Sequence, residues 1–310
     1  MTMPRISAVI GSGSMGPGIA ALLARYGSEV RLNDISEDVL ARAEGICAGA
    51  EKVLDELGVP VTPGGSIAYE LDQAKALAGA GLVIEAIPEK IELKKTVLRQ
   101  IEAAVAPDAI IATNTSGIPI SDMAVVMDHP ERFIGMHWSN PPHLIPMIEV
   151  VKGERTAEDV EARLIEIVQA FGYEAVVEKE VPGFIENRIL YAILRECLSL
   201  VEQGVASQKD LDTCVKWGIG YKLAVIGPMR LLDMAGLDIY ESVASYLNKD
   251  LSNESGVSSL ITDLTKQNKL GMKTGDGMYA YGEGDVAAKR GDIVRGLVTV
   301  RKALSSITPV

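Results

Sequence analysis

Cysteine is scarce in this chain of 310 residues: Cys47, Cys197 and Cys214 are odd in number and widely spaced. That excludes a disulfide framework and a paired-cysteine metal site, so the expectation is reduced core thiols, no metal and a cytoplasmic protein. Basic charge is short as well, with 30 Lys and Arg against 42 Asp and Glu and a formal net charge of -12. Nucleic acid needs a basic surface and is excluded as a natural partner. No apolar run approaches bilayer length, and the opening "MTMPRISAVIGSGSMG" is too broken by glycine to be a secretory signal, so no membrane partner is expected. Internal repeats and low-complexity tracts are missing too, which sets aside solenoids and disorder.

What is present describes an ordinary globular protein, 47% hydrophobic and 23% charged. The length exceeds one compact domain, so two domains with a cleft between them are the default expectation. "ISAVI" at 6–10 is a β-branched apolar run, followed by "GSGSMGPG" and by "IAALLARYG" with helical spacing: strand, glycine turn, helix. "SEVRLNDIS" reads as a second strand ending at Asp34, and "EDVLARAEGICAGAEKVLDELG" as an amphipathic helix. Residues 53–80 are less regular. "GLVIEAIP", "DAIIATNTSG", "RFIGMHW", "LIPMIEVVKG" and "YEAVVEKE" are further strands, with helices in "EKIELKKTVLRQIEAAV" and "AEDVEARLIEIVQAFG". This alternation implies an α/β fold, a Rossmann-type doubly wound and largely parallel sheet, over residues 1–184. After "VPGF" the strand signals end, and 185–310 reads as a smaller all-helical domain for substrate binding and dimerisation.

The chemistry starts in "GSGSMG". Gly11, Gly13 and Gly16 are spaced as in the dinucleotide fingerprint, with Ser14 and Met15 between them: one glycine for the tight turn, one for backbone approach to a pyrophosphate, one for close helix packing. The motif alone is weak. Here it follows a strand, opens a helix and is followed by Asp34 at the end of the next strand, placed to accept from ribose hydroxyls. An acidic residue there, with no arginine after it, favours NAD over NADP.

The chain has only three histidines, and "MHWSNPPHLIPMIEV" sets His137 and Glu149 in neighbouring apolar runs. An ionisable group in a strand core is costly unless paired, so the two are expected to pair with each other. Such a pair is either a satisfied structural couple or a base with its orienting carboxylate. Beside a nicotinamide site the second gains weight against the first, since oxidation of an alcohol needs a base near neutral pH.

The ordered set "GSGSMGPGIA", "VIEAIPEKIELKK", "TNTSGIPI", "RFIGMHWSNPP", "IEVV", "VPGFIENR" and "KTGDGMYAY" resembles the 3-hydroxyacyl-CoA dehydrogenase family almost from end to end. By that resemblance His137 is the base, Glu149 its partner, and Ser116 and Asn187 donors to the reacting oxygen. Glu89, Lys94, Asn114, Asn140 and Lys273 fall at positions of cofactor contacts, and Trp138 beside the base at a substrate contact. Taken singly, Ser116 also has the form of a turn cap, Asn187 of a helix cap, Lys94 of a solvated helix residue, and Trp138 of a packing residue. The resemblance further implies a homodimer.

The chain also departs from the acyl-CoA enzymes. "HWSNPPHLIP" replaces a phenylalanine-rich turn, and "WGIGYKLAVIGPM" is longer than usual and carries Lys222. These stretches are similar to the branch acting on small free acids, such as L-gulonate and L-carnitine dehydrogenases, and more so to members acting on a pyridine aldehyde acid of vitamin B6 breakdown. Lys222 is therefore a candidate cation for a substrate carboxylate. No cysteine stands in a nucleophile context, so an aldehyde would react as its hydrate. The rivals are a 3-hydroxy acid dehydrogenase, a true 3-hydroxyacyl-CoA dehydrogenase and, from another class, a non-catalytic NAD-binding structural module.

Overall fold

In the computed structural model, which describes residues 3–282 and 284–307, "ISAVI" forms the central strand β1 (Ile6–Ile10). The first unit continues through α1 (Gly16–Arg25), β2 (Glu29–Asn33), α2 (Glu37–Glu56), β3 (Ser66–Glu70), α3 (Gln73–Leu77), β4 (Leu82–Glu85), α4 (Ile91–Ala104), β5 (Ile110–Thr113) and α5 (Ile120–Ala124). It closes with β6 (Phe133–Trp138), β7 (Met147–Lys152), α6 (Glu158–Ala170) and β8 (Glu174–Lys179). The eight strands lie in the order β3-β2-β1-β4-β5-β6-β7-β8, with β6 and β7 antiparallel and the other pairs parallel. This is the doubly wound sheet that the alternation implied. β3 and α3 fall in the irregular stretch: β3 is an edge strand with Ser66 and Ala68 exposed, so it lacks the apolar run of a central strand.

Strand alternation divides the core between two faces. Val9, Ile84, Ala112, Ile134, Met136, Trp138, Ile148 and Val150 point to the face covered by α1, α2 and α6. Ala8, Ile10, Val83, Ile111, Phe133 and Val151 point to the other, covered by α3, α4 and α5. Glu85, Thr113, His137 and Glu149 alternate with members of the first set and therefore stand on the second face. At 25 cal/mol per Å2, a buried Leu or Ile contributes ~1.5–3 kcal/mol, and such rows hold the sheet stiff enough to carry buried charge.

The chain divides into two compact units between Arg188 and Ile189, within α7 (Glu186–Glu202). The second unit is helical: α8 (Gln208–Cys214), a π-helical turn over Val215–Gly220, α9 (Tyr221–Leu223), α10 (Pro228–Ala235), α11 (Leu237–Leu247), α12 (Ser259–Lys266) and α13 (Asp285–Ser305). Among its described residues only Val298 is fully buried. No helix among the described residues is long and apolar enough to cross a membrane. The three cysteines are free, but only Cys47 is a core thiol; Cys197 is half-buried and Cys214 exposed, which corrects the expectation for those two.

Candidate active site

The glycine turn meets a different constraint at each position. Gly11 has φ of 106° and a Cβ there would lie 2.6 Å from the Ala86 carbonyl oxygen, so only glycine fits. A Cβ on Gly16 would stand 2.0 Å from the Gly11 oxygen. Gly13 faces open space, with nothing within 4 Å of where a Cβ would be. That opening adjoins the start of α1, where no side chain caps the helix and the first-turn amides are available to a phosphate. Ser14 is exposed and Met15 half-buried beside it. Asp34, just past β2, is drawn to the turn: its Oδ2 accepts from the Ser12 amide at 2.9 Å and the Ser12 hydroxyl at 3.1 Å. The residues thus fit a dinucleotide, with a cradle for the pyrophosphate and a carboxylate beside it.

His137 and Glu149 are directly opposed on the antiparallel pair β6 and β7. His137 Nδ1 lies 2.6 Å from Glu149 Oε2, and the two side chains are 7% and 1% exposed. Glu149 Oε1 accepts from the amides of Ile185 at 3.0 Å and Glu186 at 2.7 Å. Burial pushes the Glu149 carboxyl up, but the bonds from His137 and these amides outweigh it and hold it below the ordinary carboxylate value. A carboxylate on Nδ1 directs Nε2 outward as the nitrogen left for chemistry. The ring packs 5.6 Å from that of Phe184, which is fully buried with φ of 50°, a left-handed conformation held by its packing. Ligand atoms of His137, Glu149 and Glu186 lie within 4.8 Å of one another. The Glu149 oxygens are already taken by His137 and by the Ile185 and Glu186 amides, and Ser139 Oγ donates to Glu186 at 2.7 Å, so we assign the cluster no metal.

Ser116 and Asn187 come together: Asn187 Nδ2 donates to the Ser116 carbonyl oxygen at 3.0 Å. Their loops touch at glycines, since a Cβ on Gly117 would meet Gly183 at 3.1 Å. The Ser116 amide donates to Glu89 Oε1 at 2.9 Å, and the Thr115 hydroxyl bonds the same oxygen. Asn114 is buried and accepts from the Trp138 amide at 2.9 Å, tying the end of β5 to β6. Asn140 is exposed, ahead of a cis peptide bond to Pro141. In the unusual turn, Pro142 and His143 pack on α1, where a Cβ on Gly18 would sit 2.7 Å from the Pro142 ring.

Two sequence readings change here. Trp138 is 1% exposed and stacks with Phe171 and Tyr173 on the first face, away from His137. A ring so enclosed has no surface for a ligand, so it is a core residue and not a substrate contact. Lys94 is 1% exposed, not solvated: its Nζ lies 2.8 and 3.0 Å from the Glu85 oxygens, 3.3 Å from Glu89 Oε2 and 3.4 Å from the Ile87 carbonyl. Its Nζ is held among Glu85, Glu89 and the Ile87 carbonyl, so it anchors Glu89. Glu85, fully buried and also bonded by the Ile87 amide at 2.8 Å and Thr113 Oγ1 at 2.6 Å, was missed, as were Thr113, Glu178 and Glu186. Lys222 in α9 and Lys273 are exposed and belong to the second unit.

Residues 7–181 match the model of the 3-hydroxyacyl-CoA dehydrogenase NAD binding domain, and 183–281 that of its C-terminal domain. The chain belongs to the 3-hydroxyacyl-CoA dehydrogenase family. It is an NAD-dependent dehydrogenase. It is 50% identical over 97% of its length, and 99% of the relative's, to 5-formyl-3-hydroxy-2-methylpyridine 4-carboxylate 5-dehydrogenase of Mesorhizobium japonicum. A solved structure of a dehydrogenase of that name, described as an NAD+-dependent dismutase, superposes with a TM-score of 0.95 at 48% identity, covering 99% of this chain and 100% of that one. Human mitochondrial hydroxyacyl-coenzyme A dehydrogenase is 35% identical, over 88% of this chain and 90% of its own.

Proposed function

We propose that this dehydrogenase oxidises a small carboxylated pyridine aldehyde with NAD, using His137 and Glu149 as base and orienting carboxylate. The observation that carries the chemistry is the buried 2.6 Å contact between His137 Nδ1 and Glu149. The substrate class rests on the 50% identical relative, whose name specifies such a compound, and on the free-acid features "HWSNPPH" and Lys222.

NAD would supply the hydride acceptor; Gly11, Gly13 and Gly16 would take its pyrophosphate and Asp34 its ribose hydroxyls, while Glu89, held by Lys94, borders the Ser116 loop. Water adds to the aldehyde carbon to give the hydrate, and His137 Nε2 takes one hydroxyl proton as the C–H hydride departs, leaving the carboxylic acid. Glu149 stabilises the imidazolium so formed. The Ser116 hydroxyl and Asn187 amide orient the second oxygen, and Lys222 attracts the ring carboxylate.

The test is NADH formation with the formyl-pyridine carboxylic acid, L-gulonate, L-carnitine and a 3-hydroxyacyl-CoA. Turnover confined to the aldehyde supports the reading; preference for the CoA ester overturns the substrate and leaves the family. Measuring acid against alcohol product tests whether the dismutation named for the relative extends to this chain. NAD binding with no turnover would support the non-catalytic alternative.

The expected homodimer has its own support. Trp217, Tyr221, Met229, Met234, Leu237 and Tyr240 of the second unit are half or more exposed, a density of apolar surface that a second copy would cover. Sedimentation at a single-chain mass would overturn it.

A further inference from the structure

We propose that Glu178 is a positioning residue for the base: its carboxyl shares one proton with Glu149 and so sets how firmly the His137–Glu149 pair holds a proton taken from substrate. This rests on the reading of His137 as the base. The register of β7 and β8 sets Val151 opposite Glu178 and Glu149 opposite Val176. Side chains two apart share a face, so Glu178 projects on the face of Glu149. Both Glu178 carboxylate oxygens are closed off from solvent and lack a hydrogen bond of ordinary geometry; the groups that act on the carboxyl are the Glu149 side chain, the Ile185 amide and His137.

A buried anion in that position, beside a second anion, is unfavourable, and two carboxyls can bond each other only through a proton. The charge stays on Glu149, which already accepts from His137 and two amides. The proton stays on Glu178, whose carboxyl burial and the neighbouring Glu149 charge push up to about 7. The ionisable groups that act on it are Glu149 from β7 and His137 from β6; Glu186, at the start of α7, lies within 4.8 Å of both of those. Glu186 accepts from Ser139 at 2.7 Å, and the two groups that lower the Glu178 carboxyl, the Ile185 amide and His137, are outweighed by burial and the Glu149 charge. α6, also packed on β8, lies on the other face with Val160, Leu164, Ile167 and Val168 inward.

As pH rises through about 7, Glu178 ionises and a second negative charge appears behind the base. That charge favours the imidazolium and makes His137 a stronger base at the pH where it works.

Glu178→Gln keeps size and a donor to Glu149 but removes the ionisation. The expected kcat/KM profile has its acid limb moved down by about half a unit to one unit, with the plateau near pH 8 lowered about three- to tenfold, as for a weaker base. KM for NAD is unchanged. Thermal stability gives a readout independent of turnover. The folded value is raised, so the stabilisation from the neutral carboxyl is present below the ordinary value of 4.5 and lost as pH rises through about 7. The Tm of Glu178→Gln minus that of wild type is therefore larger at pH 8 than at pH 5. An unmoved acid limb, or a Tm difference independent of pH, overturns the proposal. Full turnover by His137→Gln would overturn the base reading instead, while the Tm series would still decide whether the two carboxyls share a proton.

Discussion

Two buried acid–base pairs stand on the same face of the sheet, and they are built for opposite ends. At β4, Glu85 meets Lys94, Thr113 and a backbone amide; both side chains of the pair are 1% exposed or less. At β7, Glu149 meets His137 and two amides, with the buried carboxyl of Glu178 on the same face of the neighbouring β8. Lys94 gives its Nζ to four protein oxygens, so the first pair is a fixed post for Glu89 and the Ser116 loop. The imidazole of His137 gives only Nδ1 to Glu149, so the second pair has a ring nitrogen left over, which the proposed reaction uses. Burial alone separates neither from the other; the identity of the base does.

The largest effect should come from the exchanging pair. His137→Gln lowers kcat/KM by about 10^3- to 10^4-fold while the NAD dissociation constant, from fluorescence titration, changes less than about twofold. Equal loss of NAD binding would move His137 into the same structural class as Lys94 and dissolve the contrast.

The fixed pair should answer in stability. Lys94→Met leaves Glu85 buried without its cation and costs about 3–5 kcal/mol in urea unfolding, since the remaining hydroxyl and amide do not neutralise the charge. Replacing both residues by apolar ones of similar size recovers most of that loss. A single variant as stable as wild type would show that Glu85 is held by Thr113 and the amide alone.

Both pairs announce themselves in the same way in the sequence, as one glutamate inside an apolar run, yet only one is legible there. Glu149 in "LIPMIEVV" has a histidine in the neighbouring run to point at, whereas Glu85 in "GLVIEAIP" pairs with a lysine on the following helix that looks like part of a solvated charged face. The glycine turn, the strand alternation and Asp34 are legible because backbone geometry demands those residue types. β3 is not, because an edge strand needs no apolar run. Trp138 looks like a site residue from its neighbour His137, but alternation sends adjacent strand residues to opposite faces. Glu178 could be seen only once the β7–β8 register was known.

Glu149→Gln sharpens the contrast at intermediate size. The amide keeps the shape but not the charge, and kcat/KM falls by roughly a hundredfold, less than for the base itself. The folded Glu149 value is depressed, so its contribution to stability is present above the ordinary value of 4.5 and lost as pH falls through the folded value. The difference in urea midpoint between wild type and Glu149→Gln should therefore be greatest at neutral pH and shrink in acid. A difference that persists unchanged in acid would assign the residue to packing.

The smallest effect tests what a lysine does when no carboxylate has claimed it. Lys94 is neutralised within the first unit, whereas Lys222 is exposed and no ion pair is recorded for it among the described residues. A substrate carboxylate could then supply the counter-ion that Glu85 supplies to Lys94. An exposed pair is worth about 1 kcal/mol at most, so Lys222→Ala should raise KM for the carboxylated aldehyde by about fivefold, with kcat and the KM for NAD unchanged. The increase should shrink at high salt, where screening already weakens the pair. It should also vanish for the same aldehyde lacking the carboxylate. If the uncharged aldehyde loses as much as the acid, Lys222 acts on the fold of its helix and not on the substrate, and the carboxylate must be met elsewhere.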